Sequence, residues 1–483
     1  MIGFRPVLHI CGMLLCVMAV AMVFPALADA ATSNPDWVVF VASAAITAFI
    51  GGALVLATRT DEPLDLSRRQ AFLLTTSAWG LISLVSTLPL IFYSGDISLA
   101  DAFFETVSGI TTTGSTVLTG LETLPPGILL WRSMLQWVGA VGVVLMAMVM
   151  LPFLGVGGMA LFQTESSEQS GRIVPRSRHF VAYIAIVYST LTVLCLVLYA
   201  AQGMSFFDAL NHAMTSVATG GFSTYDASFG QFDSPGLQWT AIVFMILGGI
   251  PFVAYIRFLR GQPRALYRDS QIRTFILFIL ALGLCLGLWL AHRHGLALEP
   301  AIRAAMFNVT SIVTTTGYAS ADYNQWGPTA VGLFFALMFI GGCTGSTSGG
   351  IKIFRHQMLF LVVQNYIRRL FSPNRLSLLK YGGQRITTDI QESVLAFIAI
   401  FVGGFSVTAV LLAAMGLDFI TALSASASAF SNVGPGLGDV IGPAGNFSSL
   451  PDGAKWVLSG AMLLGRLELF TALVLLVPAF WRR

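Results

Sequence analysis

Apolar residues dominate ten stretches of this chain, and each is long enough to cross a lipid bilayer. A spanning helix needs about 20 consecutive residues that are predominantly apolar. The eighth stretch is interrupted and resumes after a gap. The pattern predicts ten membrane crossings, at residues 7–28, 37–58, 70–94, 128–153, 179–201, 237–258, 272–292, 329–342 continuing into 351–366, 391–414 and 455–479.

Four shorter segments lie between these crossings and share one pattern. Each begins with a helical stretch and ends in a run rich in threonine and glycine, and each is too long for a turn and too short to span. The segments cover residues 98–116, 205–224, 298–320 and 418–438. Because each is followed by a crossing, the pattern predicts a unit of helix, short re-entrant helix, extended loop and helix, used four times in tandem.

One glycine at the end of each segment aligns across the four. The second segment offers two candidates, Gly220 and Gly221, and the distance to the start of the short helix decides between them. Asp101 precedes Gly114 by the same 13 positions by which Asp208 precedes Gly221 (114 − 101 = 221 − 208). We expect both aspartates to cap the short helices. The aligned glycines are Gly114, Gly221, Gly317 and Gly434.

The composition supports a membrane protein and excludes several classes. Of 483 residues, 55% are hydrophobic and only 10% are charged, against about 25% charged in an ordinary soluble domain. The mean hydropathy is +0.79. A single soluble core stops growing at about 250–300 residues, so this much apolar surface rules out a cytosolic enzyme, a nucleic-acid binder and a disordered scaffold. The five cysteines show no spacing typical of a metal site or a disulfide framework.

Positive charge predicts the orientation of the crossings, because cytoplasmic connections carry an excess of Lys and Arg. With both termini in the cytoplasm, all but five of the 26 lysines and arginines lie on that side. The five are Arg132, Arg293, Arg303 and Lys455, which lie outside, and Arg466, which lies within a crossing. Residues 1–28 resemble a secretory signal, but their apolar run is longer than a signal core, so we expect an uncleaved helix.

The four threonine- and glycine-rich loops predict a binding site for a cation. Irregular backbone at membrane depth persists only where it is buried in protein or lines a water-filled path. Four such loops around one axis bring together rings of carbonyl oxygens, which replace the hydration shell of an ion. The short helices point their partly negative C-terminal ends towards the centre. The alternative is four ordinary extracellular turns, which the matched offsets disfavour.

Six motifs occur together in the chain: Thr-Thr-Thr-Gly-Ser at 111–115, Gly-Gly-Phe-Ser-Thr at 220–224, Thr-Thr-Gly-Tyr at 315–318, Gly-Gly-Cys-Thr-Gly-Ser-Thr at 341–347, Asn-Val-Gly-Pro-Gly-Leu-Gly at 432–438 and Gly-Arg-Leu-Glu-Leu-Phe-Thr at 465–471. In this combination the chain resembles the TrkH family, the membrane subunits of bacterial Trk potassium uptake systems in the Trk/Ktr/HKT superfamily. The resemblance implies a potassium-selective pore within one chain, located in the bacterial inner membrane. It also implies a homodimer and a cytoplasmic, nucleotide-binding partner of the TrkA type that controls opening.

The resemblance also assigns the potassium-binding residues. The filter glycines of the family correspond to the four aligned glycines. The neighbours that supply further carbonyls are Thr112, Thr113, Thr219, Gly220, Thr315, Thr316, Asn432 and Val433. The fourth loop departs most from the threonine pattern, so we expect imperfect fourfold symmetry at the ion.

A glycine-rich interruption breaks the inner helix of the third repeat. Residues 341–350 include five glycines, each of which weakens a helix by about 1 kcal/mol relative to alanine. We expect a mobile polar loop that plugs the pore beneath the filter and withdraws when a partner pulls on it. The alternatives are a kink without a gating role and a phosphate-binding loop, whose pattern the position of Lys352 does not fit. The expected gate residues are Gly345, Ser346, Thr347, Ser348, Gly349 and Gly350.

Arg466 lies near the middle of the last predicted crossing. An ionisable residue there is costly and by default faces the protein interior or water. Glu468 is two positions away and therefore lies on a different helix face. We expect Arg466 beneath the filter and opposite the gate residues, as an electrostatic barrier or as a hydrogen-bond donor to carbonyls of that loop. The alternative is a structural ion pair with an acidic residue of another repeat.

The sequence thus predicts an all-α polytopic membrane protein with four tandem repeats around one central pore and an extra N-terminal helix pair. The predicted divisions are the pair at 1–66 and the repeats at 67–160, 170–262, 268–370 and 386–483. The expected function is gated potassium uptake, with potassium as the transported ion and no covalent cofactor.

Two other functions fit the sequence less well than gated uptake. The alternative is a proton- or sodium-coupled potassium symporter, which needs inverted halves and a midplane site. The repeats here are parallel, and only one broken crossing is expected. An intramembrane enzyme is not expected, because the apolar segments carry no nucleophile–base set or metal ring.

Overall fold

The computed structural model describes residues 3–60, 66–93, 97–154, 177–372, 379–382, 384–467 and 469–482. The predicted boundaries at residues 160 and 170 and the residue Glu468 lie outside this part. The described part is mostly helical, and its one sheet is a short antiparallel pair of β1 (Lys380–Tyr381) and β2 (Gln384–Arg385). This is the predicted all-α architecture.

The helices follow the predicted order of an N-terminal pair and four repeats. The first member of the pair is α1 (Arg5–Ala21) together with α2 (Val23–Ala31), and the second is α3 (Trp37–Ala57). The first repeat contains α4 (Arg68–Ser86), α5 (Leu88–Phe92), α6 (Leu99–Ile110) and α7 (Pro126–Leu154). The second contains α8 (Ser177–Ala201), α9 (Phe206–Val217), α10 (Pro235–Gly248) and α11 (Phe252–Leu259), followed by the short α12 (Arg264–Arg268). The third contains α13 (Ser270–His294), α14 (Leu298–Val313), α15 (Pro328–Leu337) and α16 (Ile353–Phe371). The fourth contains α17 (Thr388–Ala414), α18 (Phe419–Ser431), α19 (Gly438–Ile441), α20 (Asp452–Arg466), α21 (Phe470–Leu473) and α22 (Pro478–Trp481).

One short helix in each repeat enters the protein without crossing it. These pore helices, α6, α9, α14 and α18, have 12, 12, 16 and 13 residues. At 1.5 Å per residue they are about 18 to 24 Å long, less than the roughly 30 Å of a bilayer core. Their last turns are buried. The four predicted re-entrant segments therefore form short helices that end inside the molecule.

The caps of the pore helices differ from the prediction. The hydroxyl of Ser98 accepts the N–H of Asp101 at 3.1 Å, and that of Ser205 accepts the N–H of Asp208 at 3.1 Å. The two serines are therefore the caps, and the two aspartates lie in the first turn, where a negative charge also stabilises the helix dipole. Asp418 caps α18, and hydrogen bonds from Thr421 hold the pKa of its carboxyl below the usual value.

The crossings are less regular than predicted. Seven of the described helical stretches are long and apolar enough to span, or nine if two bent pairs are each counted as one span. The predicted continuous crossing at 237–258 is one of these pairs, since α10 and α11 meet at 89°. The last predicted crossing is the other, because α20 ends at Arg466 and the next helix turns away by 105°. Breaks therefore occur in the inner helices of three repeats, and the expectation of one broken crossing is wrong.

The break between α10 and α11 is stabilised by the interrupted region of the third repeat. The carbonyl of Gly248 accepts the N–H of Thr347 at 3.2 Å, and that of Gly249 accepts the N–H of Cys343 at 3.0 Å. In return, the N–H of Phe252 donates to the carbonyl of Gly345 at 2.9 Å. Backbone groups freed by a break within a bilayer must find partners in the protein. The two broken helices supply partners to each other.

Candidate functional site

The pore helices end in four turns of the same unusual conformation. A residue one or two positions after each helix has a positive φ: 53° at Thr112, 50° at Thr219, 55° at Thr315 and 53° at Asn432. The next residue in each turn donates its N–H to the carbonyl five positions back, as in a Schellman cap. Three of the four are threonines, for which a positive φ is a genuine outlier. Such strain persists only where the surrounding structure over-determines it, typically at functional sites.

The aligned glycines follow two positions later in every turn. Their φ values are 88° at Gly114, 76° at Gly221, 82° at Gly317 and 109° at Gly434. Gly220 does not share this conformation. The structure therefore places Gly221 at the equivalent position, as the spacing predicted, and these backbone angles are those that glycine adopts at little cost.

The four turns close into one ring, in which each glycine lies against a carbonyl of the following repeat. A Cβ built on Gly114 would lie 2.2 Å from the oxygen of Gly220, and one on Gly221 would lie 1.9 Å from the oxygen of Thr316. The third contact, Gly317 to Val433, would be 2.0 Å, and the fourth, Gly434 to Thr113, would be 2.8 Å. The contacts run from repeat one to two, three, four and back to one. We call residues 112–114, 219–221, 315–317 and 432–434 the glycine ring.

The glycine ring is not perfectly fourfold. The amide of Asn432 donates to the hydroxyl of Thr113 at 2.9 Å and to the carbonyl of Met462 at 3.0 Å, so the fourth turn is tied to the first by a side chain. The departure from fourfold symmetry lies in the fourth turn, where the sequence departs most from the threonine pattern. The structure brings all twelve predicted filter residues together in the ring.

A cavity of about 220 Å³, which we call the ring cavity, lies on one side of the glycine ring. All four aligned glycines line it, together with residues that follow them in the chain, such as Ser115, Ser223 and Ala319. The backbone of the glycine ring therefore forms part of the cavity wall.

A buried ion pair beside this cavity was not predicted. Arg132 Nε donates to Glu105 at 2.8 Å, and the two side chains are 2% and 0% exposed. Arg132 Nη1 also donates to the carbonyl of Ser223 at 2.9 Å, and Glu105 accepts the N–H of Val117 at 2.8 Å. The pair therefore ties the loops of the first two repeats together. The sequence feature that could have indicated this pair is the presence of two opposite charges, Glu105 and Arg132, in otherwise apolar stretches.

Replacing Glu105 by glutamine is expected to destabilise the protein strongly. The change leaves Arg132 buried without its counter-charge, which typically costs about 3–5 kcal/mol. The control is Glu299→Gln, because Glu299 pairs with Arg303 at 2.9 Å but its side chain is 55% exposed, and exposed pairs contribute little. Thermal unfolding of the purified protein measures both, and equal midpoints for the two variants would contradict the prediction.

The interrupted region at 341–350 lies on the opposite side of the glycine ring. The hydroxyl of Thr219 donates to that of Thr347 at 3.1 Å. Ser348 Oγ donates to the carbonyl of Thr314 at 2.7 Å, and the N–H of Gly349 donates to Thr315 Oγ1 at 2.6 Å. These contacts hold the loop directly against the lower ends of the second and third turns.

The fourth repeat contacts the same loop. A Cβ on Gly349 would lie 2.4 Å from the carbonyl oxygen of Ser431. Arg466 Nη2 donates to the carbonyl of Thr347 at 2.8 Å, with the arginine 6% exposed. No acidic side chain pairs with Arg466 in the described part of the chain. Arg466 is thus at the end of α20 rather than at mid-span, and it contacts the loop as expected.

Comparisons with known proteins agree with this architecture. A family model described as TrkH, a cation transport protein, matches residues 38–483. The chain is 46% identical over 479 residues to the Trk system potassium uptake protein TrkI of Halomonas elongata. The aligned region covers 99% of this chain and 97% of the relative. It is 36% identical over 485 residues to the Trk system potassium uptake protein TrkH of Escherichia coli, with 99% of each chain covered.

A solved structure matches along its whole length. The fold agrees with the crystal structure of the potassium transporter TrkH from Vibrio parahaemolyticus at a TM-score of 0.93 and 35% identity, covering 100% of both chains. The family model, the relatives and the shared fold all lead to the same assignment. The chain therefore belongs to the TrkH family of cation transport proteins.

Proposed function

We propose that this chain carries out potassium uptake across the bacterial inner membrane, through a gated pore whose selectivity filter is the glycine ring. The observation that carries the proposal is the closed order of contacts in the ring. Each aligned glycine leaves room for a carbonyl oxygen of the next repeat. The closest of these oxygens, that of Thr316, would lie 1.9 Å from a Cβ built on Gly221. Such a ring of carbonyls replaces the hydration shell of an ion.

The proposed potassium ligands are the backbone oxygens of the twelve ring residues. The four pore helices end beneath these oxygens, and their C-terminal dipoles favour a cation at the centre. The names of the relatives, potassium uptake proteins of Trk systems, support potassium as the ion.

The proposed gate consists of Gly345, Ser346, Thr347, Ser348, Gly349 and Gly350 together with Arg466. Two features support this role: the loop contacts three of the four ring turns, and Arg466 holds it from the fourth repeat. In this arrangement the loop blocks the inner side of the ring. Opening then requires the contacts with Thr219, Thr315 and Arg466 to break.

The proposed partner is a cytoplasmic, nucleotide-binding subunit of the TrkA type, and the proposed assembly is a homodimer with both termini in the cytoplasm. The connection from α11 to α12 supports this orientation. Four arginines line a second cavity there, on the side of the ring opposite the ring cavity, and an excess of Lys and Arg is typical of cytoplasmic connections. They are Arg257, Arg260, Arg264 and Arg268.

Ion flux into liposomes tests the proposed function and separates it from a coupled symporter. A potassium gradient alone is expected to drive uptake by the purified protein with the gate loop shortened, and a sodium gradient is expected to drive much less. Imposing a proton gradient should then leave the initial potassium rate unchanged. Uptake that requires a proton or sodium gradient would favour the symporter, and equal potassium and sodium rates would contradict a selective filter.

A further inference from the structure

One turn of the glycine ring lacks a side chain that the other turns carry. The position before the aligned glycine holds Thr113, Thr316 and Val433 in three repeats but Gly220 in the second. The φ of Gly220 is not positive, so its conformation does not require glycine. The reason for glycine at this position must lie in what surrounds it.

The space beside Gly220 is occupied by Gln136. A Cβ on Gly220 would lie 2.4 Å from the Cδ of Gln136 and 2.5 Å from its Oε1. Gln136 belongs to α7, the inner helix of the first repeat, and is completely buried. The amide of one repeat thus fills the place of the missing side chain in the next.

The amide of Gln136 also bonds the backbone on both sides of the aligned glycine Gly221. Its Nε2 donates to the carbonyl of Gly220 at 2.6 Å, and its Oε1 accepts the N–H of Phe222 at 3.0 Å. A flipped amide would set oxygen against oxygen and N–H against N–H, so the two bonds determine its orientation. The side chain thus donates to one backbone group of this turn and accepts from another, as the backbone of a neighbouring β-strand would.

Ser115 of the first repeat donates to the carbonyl of Gly434 at 2.7 Å, but the carbonyl just before the aligned glycine is held by a side chain only in the second turn, among the residues that the structure describes. The carbonyls of Thr113, Thr316 and Val433 accept no hydrogen bond from the residues that the structure describes. The Gly220 carbonyl is therefore the one oxygen of the four whose position is set by a side chain from a different repeat. Part of the hydrogen-bonding capacity of this oxygen is taken up by the amide of Gln136.

We propose that Gln136 is a positioning residue that determines ion selectivity by setting the Gly220 carbonyl within the ring. The inference rests on the proposed function, in which these carbonyls bind potassium. Carbonyl oxygens select an ion by their number, field strength and spacing. A hydrogen bond fixes the spacing of the Gly220 oxygen and weakens its field, so the second repeat contributes a distinct ligand.

The first test replaces Gln136 by leucine and measures the ratio of potassium to sodium flux in proteoliposomes. The ratio is expected to fall about five- to tenfold, because an intramolecular hydrogen bond contributes about 1 kcal/mol. The matched control is Gln238→Leu in α10, where the amide donates to Phe232 at 3.0 Å and accepts from Arg303 at 2.6 Å, away from the ring. The control is expected to retain the wild-type ratio.

The second test exploits the fit between the two residues and does not depend on the leucine variant folding. Gly220→Thr alone is expected to lose potassium flux, because its side chain collides with Gln136. Combining it with Gln136→Ala removes the collision, makes the second turn resemble the first and third, and is expected to restore flux. Elution on size exclusion and the unfolding midpoint confirm that each variant is folded.

The outcomes separate this inference from the proposed function. A wild-type protein without preference for potassium overturns both. A selective wild type with an unchanged ratio in folded Gln136→Leu overturns only the role of Gln136. Equal loss of flux in Gly220→Thr with and without Gln136→Ala likewise contradicts the proposed fit between the two residues.

Discussion

Gly221→Ser is expected to abolish the preference for potassium over sodium. The Cβ of the new residue would lie 1.9 Å from the carbonyl oxygen of Thr316, at a φ of 76°. A non-glycine residue in such a conformation costs about 1–3 kcal/mol, and the collision forces that carbonyl out of the ring. We expect the flux ratio to fall at least about tenfold, the factor that corresponds to 1.4 kcal/mol. Electrical recording of the reconstituted protein under mixed ion gradients measures the ratio.

Gly203→Ser is the matched control for this variant. Gly203 lies in the same repeat and has a φ of 95°, but a Cβ on it would meet nothing within 4 Å. The control carries the same backbone strain without the collision, so its selectivity should equal that of the wild type. A selective Gly221→Ser protein would show that this residue is not in the filter, and an equally unselective control would assign the effect to strain alone.

Arg466→Ala is expected to raise the basal potassium flux of the protein without its partner. The variant loses the bond from Nη2 to the carbonyl of Thr347, and a bond from a charged donor typically contributes about 1.5–3 kcal/mol. If that bond is made only in the closed state, the closed-to-open ratio falls by about 10- to 150-fold. The variant also removes a buried positive charge beside the loop. Flux measurements in liposomes with a potassium gradient test the change.

Two further variants identify what Arg466 contributes. Arg466→Lys keeps the charge but loses the planar guanidinium group, so an intermediate flux indicates that geometry matters as well as charge. Shortening the loop within residues 345–350 should raise the flux even where Arg466 is intact. Wild-type flux in a folded, loop-shortened protein would contradict the gate, and loss of the folded protein in Arg466→Ala would favour a structural role.

Local patterns were sufficient to predict the repeat and the alignment of its glycines. The caps of three pore helices lie 16 positions before the aligned glycine, at Ser98, Ser205 and Asp418 (114 − 98 = 221 − 205 = 434 − 418). This constant length is why spacing identified Gly221 rather than Gly220. The same pattern did not identify the capping residue, because serine at the cap and aspartate in the first turn both favour a helix start.

Contacts between distant residues were not predictable in this way. The bend between α10 and α11 lies in an apolar stretch, and the carbonyls that it frees at Gly248 and Gly249 are paired by residues almost 100 positions later. The bond from Arg132 to the carbonyl of Ser223 and the amide of Gln136 likewise connect elements of different repeats. A single apolar window contains no information about the partner that a polar group will meet.

The sequence by itself determined the membrane class, the four repeats, the aligned glycines and the interrupted third inner helix. These features follow from the length of apolar runs and from the backbone angles open to glycine, both of which are local properties. Only the tertiary structure decided which carbonyl faces which glycine, how the loop at 341–350 contacts Thr219 and Thr315, and why Gly220 must lack a side chain. These features depend on oxygens and amides supplied by neighbouring repeats, and their positions exist only once the four repeats have closed around one axis.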